Sequence, residues 1–493
     1  MARHIFNVND DPILNYLTDD NQKIEPDWYI PILPMVLVNG AEGIGTGWST
    51  KIPNYDPREI VKNLRRMLNE QEPEEMTPWF KGFTGSIENI GEQRYVIHGE
   101  IASISDTKME ITELPIRTWT QSYKEAVMEP YLNGSEKTPA MIQDYKEYHT
   151  DKTVKFMVQM QQDKLRKAEV EKGLHQFFKL QTTLSTSSMV LFDDKGCLRK
   201  YETAMDILKE FYELRLDFYQ KRKNYLEGML EAEALKLTNQ ARFILEKCDG
   251  SLVVENKKKK VMVEELQRKG FDSDPVKKWR KAQVDQDELD AGNDSDGDED
   301  ALDTGLDYDY LLGMPMWSLT KERKDDLIKK KDEKRQELKA LRDMTKEDLW
   351  KRDLTEFIEK LDEVERQERE DDIVALNKAK GGSGGGGKKN KLKLENFPSP
   401  QGIRVAPRIA DELRTKVAKA AQAKQNKGKK AATAVVKEED IEKDEFDMMV
   451  DDKAANRGVL EISKSGVLEI SKSTNTFWSV NRYILVCNKL LLT

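Results

Sequence analysis

The sequence predicts an α+β region followed by a long antiparallel coiled-coil arm with a helical tip, and then a disordered tail. Three observations lead to that class. Up to about residue 195, segments of β-branched alternation are interspersed with short helical patterns. From Tyr201 onward, apolar residues recur every three or four positions through a stretch rich in Glu, Lys and Leu. Beyond about Ile373, "KGGSGGGGKKNKLK" marks the end of packed structure. A chain of 493 residues has room for two or three domains, and 35% charged residues with a mean hydropathy of -0.73 leave the remainder to solvated helix or tail.

Taken in order, "DPREIVKNLRRML" predicts a helix with Asp56 as N-cap, Pro57 at the first helical position and apolar residues at helical spacing. "YVIHGEIASI", "KMEITELPI" and "TVKFMVQM" alternate as strands do. Ile207, Phe211, Leu214, Phe218 and Tyr225 lie on one face of a helix expected to run to about Lys247. A second long helix is expected over Thr320 to Met344, and a third from Thr345, where "TKED" resembles a capping box ahead of Leu349, Phe357, Leu361 and Val364. The compact segment between the outgoing and returning helices, Asp249 to Trp317, forms the tip of the arm. The octapeptide "GVLEISKS" occurs at Gly458 and again at Gly466; two short copies cannot stack into a solenoid.

Charge and cysteine exclude some classes. The formal net charge of -9 hides an acidic run (Asp285 to Asp303), a lysine-rich stretch (Lys378 to Lys437) and a second acidic run (Glu438 to Asp452). Three scattered cysteines, Cys197, Cys248 and Cys487, offer neither a disulfide framework nor paired metal spacing, and read as buried thiols of a reducing compartment. No signal peptide opens the chain and the terminal "YILVCNKLLLT" is too short to span a bilayer, so a soluble protein without membrane partners is expected.

The stretch "VNGAEGIGTGWST", Val38 to Thr50, concentrates glycine and admits three readings. A phosphate cradle fits poorly, because Gly43, Gly45 and Gly47 give G-x-G-x-G, Lys51 comes too late for a P-loop lysine, and Pro31 and Pro34 interrupt the preceding apolar run. An ordinary turn, with glycine supplying positive φ, is what composition alone favours. The third reading is a wedge, with Ile44 projecting between residues too small to hide it, as in proteins that insert an apolar side chain between DNA base steps. Lys51, Arg58, Lys62, Arg65 and Arg66 lend this a weak basic setting.

Elsewhere, "NDSDGDEDALD" (Asn293 to Asp303) fails as a calcium loop: aligning Gly297 puts Gly292 where the first Asp ligand belongs and Asp303 where a bidentate Glu belongs. His4, His98, His149 and His175 show no ligand spacing and read as ordinary core or surface histidines. The clusters "KKKK", "KKNKLK" and "KQNKGKK" suit phosphate-backbone contact or nuclear import, although a solvated face explains the first equally well.

These residues converge on a family. "DDNQKIEPDWYIPILPMVLVNGAEGIGTGWSTKIPNYDPREI" closely resembles the segment after the active-site tyrosine in eukaryotic type IIA DNA topoisomerases. The likeness continues through "ITELPIRTWTQSYKE", "FKLQTTLSTSSMVLFD", "LTNQARFILEK" and "GFDSDPVKKW", covering roughly Ala2 to Val374. The resemblance implies a part of an ATP-dependent, Mg²⁺-using enzyme that passes one duplex through a transient double-strand break in another. Its ATPase module, metal-binding Toprim domain and tyrosine are expected upstream of Met1. "ARHIF" can be aligned with the tyrosine at His4 only through a gap; the ungapped alignment places the tyrosine before Met1, so no catalytic residue and no metal ligand is assigned here. The segments implied are 1–55, the end of a winged-helix region with a DNA-wedge loop; 56–195, a tower-like α+β domain; 196–248, an outgoing coiled-coil helix; 249–318, an exit-gate tip with an acidic insert; 319–373, returning helices; and 374–493, a disordered basic and acidic tail.

Residue by residue, the resemblance makes Ile44 the side chain that intercalates and bends the duplex, with Gly43, Gly45, Thr46, Lys51 and Arg117 contacting DNA. It implies duplex DNA and a second copy of the chain as partners, a nuclear location, and no cofactor bound by this part. The chain alone is expected to bind and bend DNA without cutting it. The alternative is a noncatalytic chromosomal coiled-coil protein whose whole function is DNA binding and dimerisation; such a protein has no need of "NGAEGIGTGW".

Overall fold

The computed structural model describes residues 1–20, 22–45, 47–91, 93–134, 139–150, 152–252, 257–290, 307–314, 321–381, 398–409 and 414–415, with backbone alone at 284–290, 321–323 and 375–381. Besides short helical turns, the chain runs through strands β1 (Tyr16–Asp19), β2 (Gln22–Pro26), β3 (Ala41–Ile44) and β4 (Ser49–Ile52), then helix α1 (Pro57–Met67). Strands β5 (Ser86–Gly91), β6 (Arg94–His98), β7 (Glu100–Ser105), β8 (Lys108–Glu113), β9 (Asp144–Glu147), β10 (Phe156–Gln159), β11 (Gln181–Ser185), β12 (Met189–Phe192) and β13 (Leu198–Tyr201) follow. Helices α2 (Ala204–Cys248), α3 (Lys259–Arg268), α4 (Pro275–Asp290), α5 (Lys321–Asp343) and α6 (Lys346–Gly381) precede a final strand, β14 (Ile403–Arg404). Two compact units result, one of Met1–Ile32 with Tyr212–Phe357, the other of Leu33–Phe211 with the described residues from Ile358 on.

The first unit is built on α2. Leu327 and Ile328 of α5 pack against Leu237, Ala241 and Ile244 of α2, while Arg342, at the far end of α5, pairs with Glu231 earlier in α2. Moving up one helix therefore means moving down the other, and the two lie antiparallel. Between them a small apolar core, including Phe243, Leu252, Met262, Leu266, Phe271 and Tyr308, closes the tip. The calcium-loop-like stretch 293–303 lies outside the described residues. Residues 196–203, expected as helix, are instead occupied by β13 and its flanking turns, because Leu198–Tyr201 pairs with Met189–Phe192 before the helix can start.

Near the middle of α2 the packing is polar. Arg215 and Arg222 are fully buried. Arg215 donates to Asp10 at 2.7 Å, and Arg222, Tyr219 and Asn7 all donate to Asp353 Oδ2 at 2.6, 2.9 and 3.1 Å. Trp350 of α6 stacks on Tyr212 and Tyr219 at 20° to each ring and donates its indole N–H to the Ile32 carbonyl. Charges taken from water at this depth are tolerated only when paired, so Asp10 and Asp353 fix how the first residues of the chain pack on α2.

The second unit holds two antiparallel sheets. One has strand order β14-β7-β8-β10-β9, the other β11-β6-β5. The stretch read as a single strand, Tyr95 to Ile104, is divided at Gly99 between the two sheets. A Cβ at Gly99 would lie 2.4 Å from the Glu113 carbonyl oxygen, so only glycine lets the chain pass from one sheet to the other here. α1 forms as expected: Asp56 accepts from the Arg58 N–H at 2.9 Å, Pro57 leads, and Ile60, Val61 and Leu64 are buried. The capping box at Thr345 is also present, Thr345 Oγ1 accepting from the Asp348 N–H and Asp348 accepting from the Thr345 N–H, both at 3.1 Å.

The tail departs from expectation. Residues from 374 were expected to be disordered, yet 398–409 lie along the larger sheet, with Ile403 opposite Ser103 and Arg404 opposite Ala102. The Ser399 N–H and hydroxyl both donate to Glu110, a carboxylate 1% exposed that also pairs with the buried Lys155 at 2.7 Å. Gly402 brings its backbone onto Ala102, where a Cβ would sit at 3.2 Å. A charge pair buried in a sheet face needs its remaining lone pairs satisfied, and this segment supplies the donors.

Candidate nucleic-acid interface

β3 and β4 form a hairpin in register Ala41–Ile52, Glu42–Lys51, Gly43–Thr50 and Ile44–Ser49, closed by the Gly45 N–H donating to the Trp48 carbonyl at 2.9 Å. The base is anchored. Lys51 N–H donates to the Ser188 carbonyl at 2.7 Å, Val190 N–H to Thr50 Oγ1 at 3.3 Å, and both Thr50 and Ile52 are buried. The tip is the opposite case: Ile44 is 85% exposed and Trp48 50%. A β-branched aliphatic side chain standing free on an anchored ribbon gains nothing for the fold and is available to a partner.

Two glycines have identifiable conformational work. Gly40 ends a short helix with φ 66°, and a Cβ there would meet Asn54 Oδ1 at 2.7 Å. Gly47 has φ 84° in open space, so it is needed for the turn alone. The run Pro31 to Val38 is not a strand; Pro34 instead opens the helix Met35–Asn39, which leaves no strand-to-helix phosphate loop. Gly43 lies within the ladder and Gly45 at the turn closure. Thr46 is outside the described residues.

The two cations assigned to DNA are brought together by a residue that sequence reasoning missed. Glu42 Oε1 lies 3.5 Å from Lys51 Nζ, and its other oxygen, Oε2, pairs with Arg117. Arg117 occupies left-handed backbone at φ 70°, uncommon for a residue with a side chain, in the turn where the Thr118 N–H donates to the Pro115 carbonyl. Trp119 beside it is 80% exposed. The signal that could have found Glu42 is the register itself, since a hairpin centred on Gly45 to Trp48 sets Glu42 opposite Lys51.

The remaining cations near the loop in sequence do other work. Arg58 binds Asp362 at 2.6 Å and both oxygens of Glu365 at 2.9 Å, bonds that push its pKa up, Glu365 contributing most. Lys62 and Arg66 pair with Glu74. In the first basic cluster Lys257 pairs with Glu265 and Lys259 with Asp309; the clusters at 388–393 and 424–430 lie outside the described residues. Cys197 and Cys248 are exposed, not buried, because one follows the turn at Gly196 and the other ends α2. The described residues contain no group of three or more His, Cys, Asp or Glu placed to hold a metal, and no helix long and apolar enough to cross a membrane.

Comparison with known proteins places this geometry. The family model for the A chain of DNA gyrase/topoisomerase IV matches residues 1–355. DNA topoisomerase 2-alpha of Cricetulus griseus is 53% identical over 422 residues, 85% of this chain and 27% of that protein. DNA topoisomerase 2-beta of Homo sapiens is 53% identical over 414 residues, 83% of this chain and 25% of that protein. The chain thus spans about a quarter of the length of the curated relatives it matches. A crystal structure of the Plasmodium falciparum topoisomerase II DNA-binding, cleavage and re-ligation domain superposes with a TM-score of 0.63 and 43% identity, over 74% of this chain and 49% of that one. Similarity of this extent, in sequence and in fold together, means that the chain belongs to the DNA topoisomerase II family.

Proposed function

We propose that this chain supplies the DNA-bending and exit-gate parts of a type II topoisomerase, an enzyme that uses ATP and Mg²⁺ to pass one duplex through a transient double-strand break in another. The observation that carries the reading is Ile44, exposed at the end of an anchored two-stranded mount with Lys51 and Arg117 at its foot. Unstacking one base step costs a few kcal/mol, and full burial of an isoleucine returns about 1.5–3 kcal/mol. The two nearly cancel. Net bending therefore draws on phosphate contacts that only a bent duplex can make, and Lys51 and Arg117 are the groups assigned to them.

ATP and Mg²⁺ are proposed to act elsewhere in the intact enzyme, and the tyrosine that attacks the phosphodiester is assigned upstream of Met1. On this reading the chain by itself bends DNA without cutting it, and works in the nucleus as one half of a homodimer. The test is Ile44→Ala, with bending read by energy transfer between dyes at the two ends of a short duplex. The variant is expected to lose most of the bending signal while affinity falls by less than about tenfold, since the phosphate contacts remain. Bending equal to that of the unaltered chain overturns the wedge.

A further inference from the structure

We infer that Glu42 is an internal stand-in for a DNA phosphate: its carboxylate marks an anion subsite between Lys51 and Arg117 and must be displaced when a backbone phosphate enters. The inference rests on the wedge reading above and adds to it a residue that governs how tightly the wedge holds DNA. One carboxylate serves two cations, Oε1 facing Lys51 Nζ at 3.5 Å and Oε2 pairing with Arg117. Residues two apart on a strand point to the same side, so Glu42 shares its face of the hairpin with Ile44. An anion held by this pair thus lies at the foot of the side chain that would enter the base stack.

The pairing is exchangeable. Glu42, Lys51 and Arg117 have side chains 45%, 37% and 47% exposed, and ion pairs at such positions are weak. A phosphate oxygen can take the place of either carboxylate oxygen without disturbing the hairpin, whose ladder and base are held by backbone bonds and by Thr50. While Glu42 is present, the three side chains carry one net positive charge; without its charge they carry two. Phosphate binding releases condensed counterions in proportion to the cations engaged, so the carboxylate lowers both the affinity and its salt dependence. Electrostatic capture of DNA is held back, and release remains possible once a duplex is no longer bent.

The experiment uses the whole chain and a fluorescein-labelled 30-base-pair duplex, with affinity measured by anisotropy at several KCl concentrations and bending measured in parallel. Glu42→Gln is expected to bind more tightly at low salt, on the order of fivefold, with log K falling more steeply against log[KCl] by about 0.9. The gain should vanish when Glu42→Gln is combined with Lys51→Ala and Arg117→Ala, because the carboxylate acts through those two side chains. Unchanged or weaker binding with an unchanged salt slope overturns the inference, as does a gain that survives loss of both cations. Ile44→Ala separates the two ideas: if it reduces bending while Glu42→Gln does nothing, only the stand-in role fails. If the unaltered chain neither binds nor bends DNA, the wedge fails and the stand-in role with it.

Discussion

His175 and His98 lie edge to face, ring centroids 5.7 Å apart, and both are buried. Burial, and then the neighbouring His98, push the His175 pKa down from 6.5 to about 4, while a hydrogen bond with the Gly99 backbone works the other way. Burial lowers the His98 pKa as well. Because the folded-state pKa of His175 is depressed, its contribution to stability is complete above about pH 6.5. It declines as pH falls toward 4, where the unfolded chain takes up a proton that the folded one refuses. The whole effect is on the order of 3 kcal/mol. Urea unfolding at pH 7 and pH 4.5 should show the loss in the unaltered chain and a smaller one in His175→Gln; identical losses would mean that His175 does not titrate in this window. The sequence identified both residues as histidines without ligand spacing and could go no further, because their meeting depends on the pairing of β6 with β11, which is set far from either residue. Glu42 was missed for a related reason. It lies one residue from the glycines that drew attention, but its partners come from the opposite strand and from a separate turn.

At the scale of elements, what could be read in advance was local. The Asp56 cap of α1, the Thr345 box of α6 and the helical spacing from Ile207 to Phe218 are each decided within a few residues, and all are present. The strand division at Gly99 and the docking of β14 on β7 are not local: one depends on the Glu113 carbonyl, the other on Glu110 and Lys155. A two-residue strand in a Gly- and Lys-rich region carries no period of its own, so its sequence reads as tail. Gly99 permits a direct test. Adding one methyl group in Gly99→Ala forces a carbonyl oxygen at 2.4 Å to move, and the Gly99 N–H bond to the Leu180 carbonyl at 2.8 Å moves with it. Overpacking of this kind typically costs about 1–3 kcal/mol. The variant should show a lower urea midpoint with an unchanged slope; an unshifted midpoint would mean that the sheets relax freely around position 99.

For the whole molecule, a formal net charge of -9 does not oppose DNA binding, because the Debye length at physiological salt is about 8 Å and a phosphate at the hairpin senses mainly Lys51, Arg117 and Glu42. Net charge bears instead on self-association. Two copies repel at low salt and approach more readily as salt rises, whereas binding to DNA weakens over the same range. The proposed exit gate places the copy-to-copy contact at the arm, whose tip has a small apolar core and leaves Val261 half exposed on α3. Sedimentation equilibrium of the chain, of monomer mass 56.9 kDa, is therefore expected to show a concentration-dependent mass rising toward double that value, with the association strengthening between about 50 and 300 mM KCl. Replacing Val261 by Asp, which puts a charge at the proposed contact without touching the buried core, should move the equilibrium toward monomer while leaving DNA bending by a single copy intact. A chain that stays monomeric at all concentrations and salts would remove the gate from the proposed function and leave the wedge standing.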